Sequence, residues 1–391
     1  MAGPLTSLKI LDFSTLLPGP FATLLLGDMG ADIIRIEAPN RPDILRETPP
    51  MVGQHSAAHA TLNRNKRSLG LNLKHSAAPI LIKKLVQTYD IVIEQFRPGV
   101  MDRLGVGYAA LKEANPRLIY CAITGYGQTG PYRDRAGHDN NYLALSGLMS
   151  HSGRLDTGPH PQGTQIADIG GGSYGAVVGI LGAVIHRLYT DEGQFLDVAM
   201  LDGAIAWNAM AGANFLSGGE LPSYESWLLN GGTHYGYYRT ADGRYLSVSA
   251  LEPQFWQGFC KAIERPDLIP RLTHAGPEMR RVRDEIAGVM LTKTLDEWLA
   301  IFDPLDACVE PVLNLAEMSE HPQVQAREMI VPVPNENGTL NQIAHPIKYS
   351  ATPTDYQFSG VALGQHTQEI LHELGYATAQ IEQLQADGLF G

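Results

Sequence analysis

The 391 residues carry 29 basic against 41 acidic side chains, a formal charge of −12, with 44% apolar and 18% charged residues. This composition is that of a globular chain with room for about two or three domains. Its acidity argues against nucleic acid or an anionic membrane surface as a partner. Three scattered cysteines, Cys121, Cys260 and Cys308, supply neither a disulfide framework nor a metal-spaced pair, so a reducing compartment is expected. The opening Met-Ala-Gly-Pro-Leu-Thr-Ser-Leu-Lys lacks the pattern of a signal peptide. The apolar runs 22–26 and 176–185 are too short or too Gly-broken to span a bilayer. A cytoplasmic location follows by default.

In chain order, 8–13 is a short apolar run that reads as a strand, and 18–30 has helical spacing at Phe21, Leu24, Leu25 and Met29. A second strand is expected over 32–36, then a polar, Pro-containing loop over 40–60. Residues 68–73 alternate as a strand, and Ser76 is placed to cap a helix reaching Val86. A strand over 90–94 is followed by one helix from Pro98-Gly99 through Ala114, and 118–123 is a further strand. Strands alternating with helices imply a parallel sheet covered on both faces. Residues 176–189 read as a helix apolar nearly all round, 195–200 as a strand and 202–216 as a helix. The texture changes after Ser217-Gly218-Gly219. Alternation over 235–250 around Ala241-Asp242-Gly243 marks a hairpin. Helices follow over 252–263, 279–291 and 295–302, the last with a Thr294/Glu297 capping box. Pro-rich connections lead to a helix over 367–374 stopped by Gly375. The expected organisation is a large α/β domain with linker over 1–224 and a small α+β domain over 225–325. A return linker and C-terminal helices over 326–391 pack on the first domain.

The stretch from Ala136 to Gly172 holds the candidate chemistry. His138 follows Gly137, and Asp168 precedes Gly170-Gly171-Gly172. An imidazole and a carboxylate converging on one carbon can remove a proton from one face and return it to the other. Gly170-Gly171-Gly172-Ser173-Tyr174-Gly175 matches G-x-G-x-x-G literally, but no apolar strand precedes it, so a dinucleotide site is set aside. The glycines read instead as a helix start whose N–H groups face a ligand oxygen. Arg64, Lys66 and Arg67 form a basic run followed by Lys74. Gln95-Phe96-Arg97-Pro98-Gly99, with Arg103 a turn later, forms a second one at the end of a strand. Arginines beside an exposed aromatic suit phosphates next to a stacked base, although solvated surface charge explains them equally well. His55 and His59 are spaced i, i+4 without thiol or carboxylate ligands nearby, so no metal site is assigned.

Taken together the chain resembles the family III CoA-transferases, and within them the α-methylacyl-CoA racemases. The resemblance rests on Leu26-Gly27-Asp28-Met29-Gly30-Ala31-Asp32, Arg64-Asn65-Lys66-Arg67, Arg97-Pro98-Gly99-Val100 and Thr124-Gly125-Tyr126-Gly127-Gln128-Thr129-Gly130-Pro131. It rests further on the stretch from Ala136 to Tyr142, Ala241-Asp242-Gly243-Arg244-Tyr245, Glu252-Pro253-Gln254-Phe255 and Gly364-Gln365-His366-Thr367. It implies the fold of that family, a Rossmann-like large domain with a smaller α+β domain in an interlocked homodimer. It implies Asp168 as the carboxylate common to transferases and racemases. His138 stands where racemases have His and transferases usually an aromatic residue, and Glu252 stands for the carboxylate that contacts that His. CoA, as part of the substrate rather than a cofactor, would contact Arg64, Leu71, Lys74, Gln95, Phe96, Arg97 and Arg103. It would also contact the turn of Gly137, Asp139, Asn140, Asn141 and Tyr142. Ala38 stands where some relatives carry an arginine for the nucleotide. The expected reaction is inversion of the α-carbon of a 2-methyl-branched acyl-CoA, with the Asp168 amide or the following glycines holding the thioester oxygen. No metal or redox cofactor enters. CoA transfer between carboxylic acids through an Asp168 anhydride is the alternative, and an inert CoA-binding scaffold is a third.

Overall fold

The computed structural model describes residues 3–53, 55–272 and 275–390. The chain divides into two compact units. The first comprises residues 3–143, 164–206 and 322–390, and the second 144–163 and 207–321. Segments 144–163 and 207–224, which the sequence groups with the large domain, thus belong to the second unit.

The first unit is built on six strands: β1 (Lys9–Asp12), β2 (Asp32–Glu37), β3 (Lys66–Gly70), β4 (Ile91–Glu94), β5 (Ile119–Thr124) and β6 (Phe195–Ala199). All neighbours pair in parallel, in the order β6-β5-β4-β1-β2-β3. This is the doubly wound order, with its reversal between β1 and β4, where crevices open at strand C-termini. β4 and β5 are buried along their whole length, which is why they read as continuous apolar runs. On one face lie α1 (Pro18–Asp28) and α2 (Ala78–Leu85) is on the opposite one, where Leu81, Ile82 and Leu85 join Val92 and Tyr120. The returning C-terminal segment adds Ile370, Leu371, Ile381 and Phe390 to that same core.

Four local expectations change. The stretch 40–60 holds a 3₁₀ turn, Ile44–Arg46, and the start of a helix, Ala57–Leu62, capped by the Ser56 hydroxyl. Ser76 caps nothing: Ala77 occupies the cap of α2, Pro79 sits in the first turn, and the His75 imidazole accepts the Ala77 N–H at 3.1 Å. The expected helix 98–114 is two, α3 (Val100–Arg103) and α4 (Tyr108–Ala114), because Gly105 takes φ +74° between them. The expected helix 202–216 is split between the units into Met200–Ala206 (α7 below) and Ala209–Gly218.

The remaining helices of the first unit frame the candidate site. α5 spans Asp139–Leu145, with its last residues in the second unit. Residues Ala167–Tyr174 form π-helical turns that continue into α6 (Gly175–Thr190). The sequence expects the helix to begin at Ala176; it begins nine residues earlier. The continuous stretch Ala167–Thr190 is therefore long and apolar enough to cross a bilayer by length and composition, unlike the run visible in the sequence. Its Ala176, Ile180 and Ala183 face is buried, whereas Val178, Ile185, Leu188 and Tyr189 are exposed. The helix is thus packed on one side, not all round.

The glycines of the π-helical turns serve helix packing. A Cβ on Gly171 would lie 2.7 Å from the Met200 carbonyl oxygen, and one on Gly203 of α7 (Met200–Ala206) would lie 2.3 Å from the Gly171 Cα. Backbone meets backbone there, and no side chain can rotate away.

In the second unit, β7 (Gly236–Arg239), β8 (Tyr245–Val248) and β9 (Val309–Pro311) form an antiparallel sheet in that order. Its core takes Tyr238, Leu246 and Val248 from the sheet. It takes Trp256 and Phe259 from α8 (Pro253–Ala262), Val282 and Ile286 from α9 (Pro277–Met290), and Trp298 and Phe302 from α10 (Leu295–Phe302). The Thr294/Glu297 capping box is formed.

Gly203→Ala is expected to destabilise the protein by about 1–3 kcal/mol through overpacking. Gly258→Ala, in α8 with open space around it, should be neutral or stabilising by up to about 1 kcal/mol. Urea titration of both variants checks this, and equal midpoints would contradict the packing role.

Candidate active site

The C-terminal ends of β1, β4, β5 and β6 lead into one cavity of about 290 Å³, lined entirely by the first unit. Leu16 and Pro18 come from the loop after β1 and the start of α1, Gln95–Arg97 from the loop after β4, residues 124–126 from the end of β5 and the loop after it, and Met200 from the start of α7, directly after β6. Both His138 and Asp168 line it, so the two groups singled out by the sequence open on one space.

Asp139 is what holds them together. Its buried carboxylate, through one oxygen, accepts the N–H of Ala167 at 2.6 Å and the N–H of Asp168 at 3.0 Å. These are orphan donors at the start of the π-helical turns, and a carboxylate at a helix N-terminus satisfies them and complements the dipole. Two expectations are corrected by this contact. Asp139 is a positioning residue below the cavity, not a CoA ligand on its wall. The Asp168 amide is already bonded to Asp139, so it is not free to receive the thioester oxygen.

The Asp168 side chain is half-buried, and its carboxyl is raised to about 6. Burial is the main cause, the Asp139 charge adds to it, and His138 opposes both. His138 is exposed into the cavity. Its backbone is fixed by Asn141, whose Oδ1 accepts the His138 N–H at 3.0 Å while the His138 carbonyl accepts the Asn141 N–H at 2.8 Å. Tyr142 donates its hydroxyl to the Gly137 carbonyl at 2.6 Å and packs edge-on against Tyr126. A Cβ on Gly137 would lie 2.7 Å from the Tyr142 ring and 2.7 Å from the Tyr126 hydroxyl, so this glycine admits the aromatic pair.

Of the residues assigned to CoA, Gln95, Phe96, Arg97, Gly137 and Tyr142 line the cavity. The Gln95 carboxamide oxygen accepts the Gly19 N–H at 3.1 Å, tying the loops after β1 and β4. Arg103 stands outside the lining, although a Cβ on Gly99 would find its Nη1 at 3.5 Å and that of Arg133 Nη2 at 3.6 Å. Lys74, Asn140 and Asn141 are exposed but do not line the cavity. Leu71 is fully buried in the core. Arg64 is a correction of kind. It is 1% exposed, paired with Asp28 through two nitrogens, and donates to the Ile343 carbonyl at 2.8 Å. The interior uses this guanidinium, and no ligand reaches it. Lys66 is likewise buried, donating to the Pro20 carbonyl and to Asn63. Glu252 lies in the second unit, exposed at the start of α8.

Sequence reasoning missed three groups. Arg133 and Arg135 line the cavity, with Arg135 4.4 Å over the Tyr132 ring. The signal was present in Tyr132-Arg133-Asp134-Arg135, a basic and aromatic run directly before Ala136. Arg97, Arg103, Arg133 and Arg135 make no ion pair among the described residues, in contrast to Arg64. The third group is Glu94 at the end of β4, which accepts the Phe96 N–H at 2.7 Å. Burial pushes its carboxyl up to about 8, so at neutral pH it adds little negative charge beneath Arg97.

The arrangement is thus an imidazole and a carboxyl raised to about 6 in one cavity, with arginines at its edge that make no ion pair among the described residues. The sequence pattern described as CoA-transferase family III matches residues 5–367. The alpha-methylacyl-CoA racemase of Homo sapiens is 35% identical over 393 residues, covering 98% of this chain and 96% of its own. The succinyl-CoA:glutarate CoA-transferase of Homo sapiens is 33% identical, covering 99% of this chain and 90% of its own. Among solved structures, a CAIB/BAIF family protein from Brucella suis superposes with a TM-score of 0.83 at 28% identity, covering 96% of this chain and 100% of its own. Racemase and transferase names stand at similar identity, and the pattern shared by both spans nearly the whole sequence; the chain belongs to CoA-transferase family III.

Proposed function

We propose that the protein inverts the α-carbon of 2-methyl-branched acyl-CoA thioesters by proton removal and return through an enolate. The observation that carries this reading is that His138 and Asp168 line one cavity while the Asp168 carboxyl sits near 6. An acid–base group is most effective when its pKa lies near the operating pH, because both forms are then populated. In one direction the Asp168 carboxylate takes the α-proton and the imidazolium of His138 delivers one to the opposite face. In the other direction the neutral imidazole is the base and the Asp168 carboxyl the acid. The electron pair left by the departing proton is held by the thioester as an enolate and reforms the C–H bond on return. Arg97, Arg133 and Arg135 would meet the CoA phosphates, for which a guanidinium fork is suited. Glu252 keeps, as part of the proposal, the imidazole-orienting role that the resemblance implies.

CoA transfer is the second reading, favoured by the similar identity of the transferase relatives. In it the Asp168 carboxylate attacks the thioester carbonyl and CoA leaves as thiolate; the thiolate then attacks the Asp168 carbonyl of the anhydride and releases the donor acid. An acceptor carboxylate displaces CoA from that enzyme thioester, and CoA cleaves the second anhydride at the acceptor's carbonyl to give the new acyl-CoA and free Asp168. His138 has no necessary part in that sequence.

Incubation with a single 2-methylacyl-CoA epimer in D₂O separates the two. Epimerisation with α-deuterium incorporation is expected, without an acceptor acid. Retention of the α-hydrogen, with hydroxylamine-sensitive transfer, would replace the racemase reading with the transferase one. His138→Ala and Asp168→Ala should each lower turnover about 10²-fold or more. The pH dependence has a definite sign. In the direction that uses Asp168 as base, kcat should rise as pH increases through about 6, the value to which burial and Asp139 lift this carboxyl. Asp139→Asn removes a neighbouring negative charge that disfavours ionisation, so the rise should move to lower pH. An unmoved or upward-shifted profile would contradict the electrostatic role of Asp139.

A further inference from the structure

A second cavity, of about 560 Å³, is lined entirely by the second unit. It borders β7, an edge strand of the three-stranded sheet. Side chains two residues apart on a strand share a face, and Arg239 is paired with Tyr245 across β7 and β8. Tyr237, Arg239 and Tyr245 therefore occupy the face away from the core, while Tyr238, Leu246 and Val248 fill the core. α9 sends Met279, Val282 and Ile286 inward and brings Arg280 and Arg283 to the cavity from its flank.

The charges in this cavity are unevenly compensated. Buried Glu225 accepts Arg283 at 3.1 Å and Arg154 at 3.3 Å. Its backbone sits at φ +49°, a left-handed conformation that non-glycine residues adopt at a cost. Elsewhere in the unit Arg244, Arg265, Arg271 and Arg281 also have a carboxylate oxygen within 4.0 Å. Among the described residues of this unit, the two arginines without one are Arg239 and Arg280, and both line this cavity. In a chain of net charge −12, with Asp156 and Asp284 on the same walls, that pair stands out.

We infer that this cavity binds a small organic anion, a carboxylate or phosphate monoester carried on a planar group. Arg239 and Arg280 receive the oxyanion, since a guanidinium without a protein partner offers its donors to a ligand in a fixed fork. Tyr237 and Tyr245, both exposed, supply aromatic faces for the planar part. The lining guanidiniums outnumber the lining carboxylates by one, which suits a singly or doubly charged small molecule and not a polyanion. The volume falls in the range of about 300–1,000 Å³ usual for such sites. The cavity shares no residue with the one that holds His138 and Asp168.

Calorimetric titration of the full chain with phenyl phosphate, phthalate and inorganic phosphate tests this. At least one aromatic probe should bind with Kd below about 1 mM, and more tightly than inorganic phosphate. Preference between the aromatic probes assigns the ligand as phosphate ester or carboxylate. The pair Arg239→Gln and Arg280→Gln should weaken that binding by about 10-fold or more, whereas Arg97→Gln with Arg135→Gln should leave it unchanged. Tyr237→Ala should weaken the aromatic probe and spare inorganic phosphate. Near-UV circular dichroism establishes that each variant is folded, and Arg239→Lys serves if the glutamine pair is not. Absence of binding, binding that survives the glutamine pair, or loss only with the Arg97 and Arg135 variants would overturn the inference.

Discussion

The carboxylate of Asp139 accepts two backbone N–H groups at the start of the helix that carries Asp168, and the candidate site depends on that contact. It joins the turn after His138 to a helix that begins 28 residues later. The backbone that carries His138 and the helix that carries Asp168 are thereby joined through a single buried side chain. The same charge also disfavours ionisation of Asp168. One residue therefore positions the helix start and adds to the rise in proton affinity that burial mainly causes, and it stands directly beside the histidine in sequence. In the same helical stretch, Gly171 meets Gly203 of α7 with backbone against backbone.

The distribution of arginine separates structure from recognition. Arg35 and Arg64 are buried, the first against Asp43 at 2.6 Å and the second against Asp28. Buried pairs of this kind recover at most part of their desolvation cost, so their value lies in fixing which segments meet. Arg64 joins α1 to the strand segment ending at Ile343 in this way. Arg97, Arg133 and Arg135 instead stay in contact with water at the cavity, unpaired, in a strongly acidic chain. The positive charge left open to a ligand of the proposed kind is therefore at the cavity and not in the interior.

β4 and β5 were legible in the sequence because burial on both faces leaves no polar alternation, and the hairpin at Asp242-Gly243 because its turn needs a glycine, which takes φ +81°; the paired strands Ile330–Asn335 and Gly338–Ile343 were not, since their prolines read as connections. The convergence of His138 and Asp168 could be posed from sequence but not resolved, since it depends on a carboxylate–backbone contact with no sequence period. The π-helical turns were invisible for the same reason. For Gly171 the structure shows a close helix, a demand that glycine answers in sequence just as it answers a close ligand. Arg64 was misassigned because a basic run looks the same whether its partner is a phosphate or Asp28 earlier in the chain. The break between α3 and α4 rested on one left-handed glycine within an otherwise helical pattern.

The central claim is that the fold raises the Asp168 carboxyl to about 6 in the cavity that His138 also lines, so that both of its protonation states are populated near neutrality. Carboxyl ¹³C NMR of the aspartate-labelled protein, assigned by difference against Asp168→Asn, measures this without any substrate. The account expects a resonance that titrates with a midpoint near 6. A midpoint near 4, the ordinary value for an exposed aspartate, would contradict it.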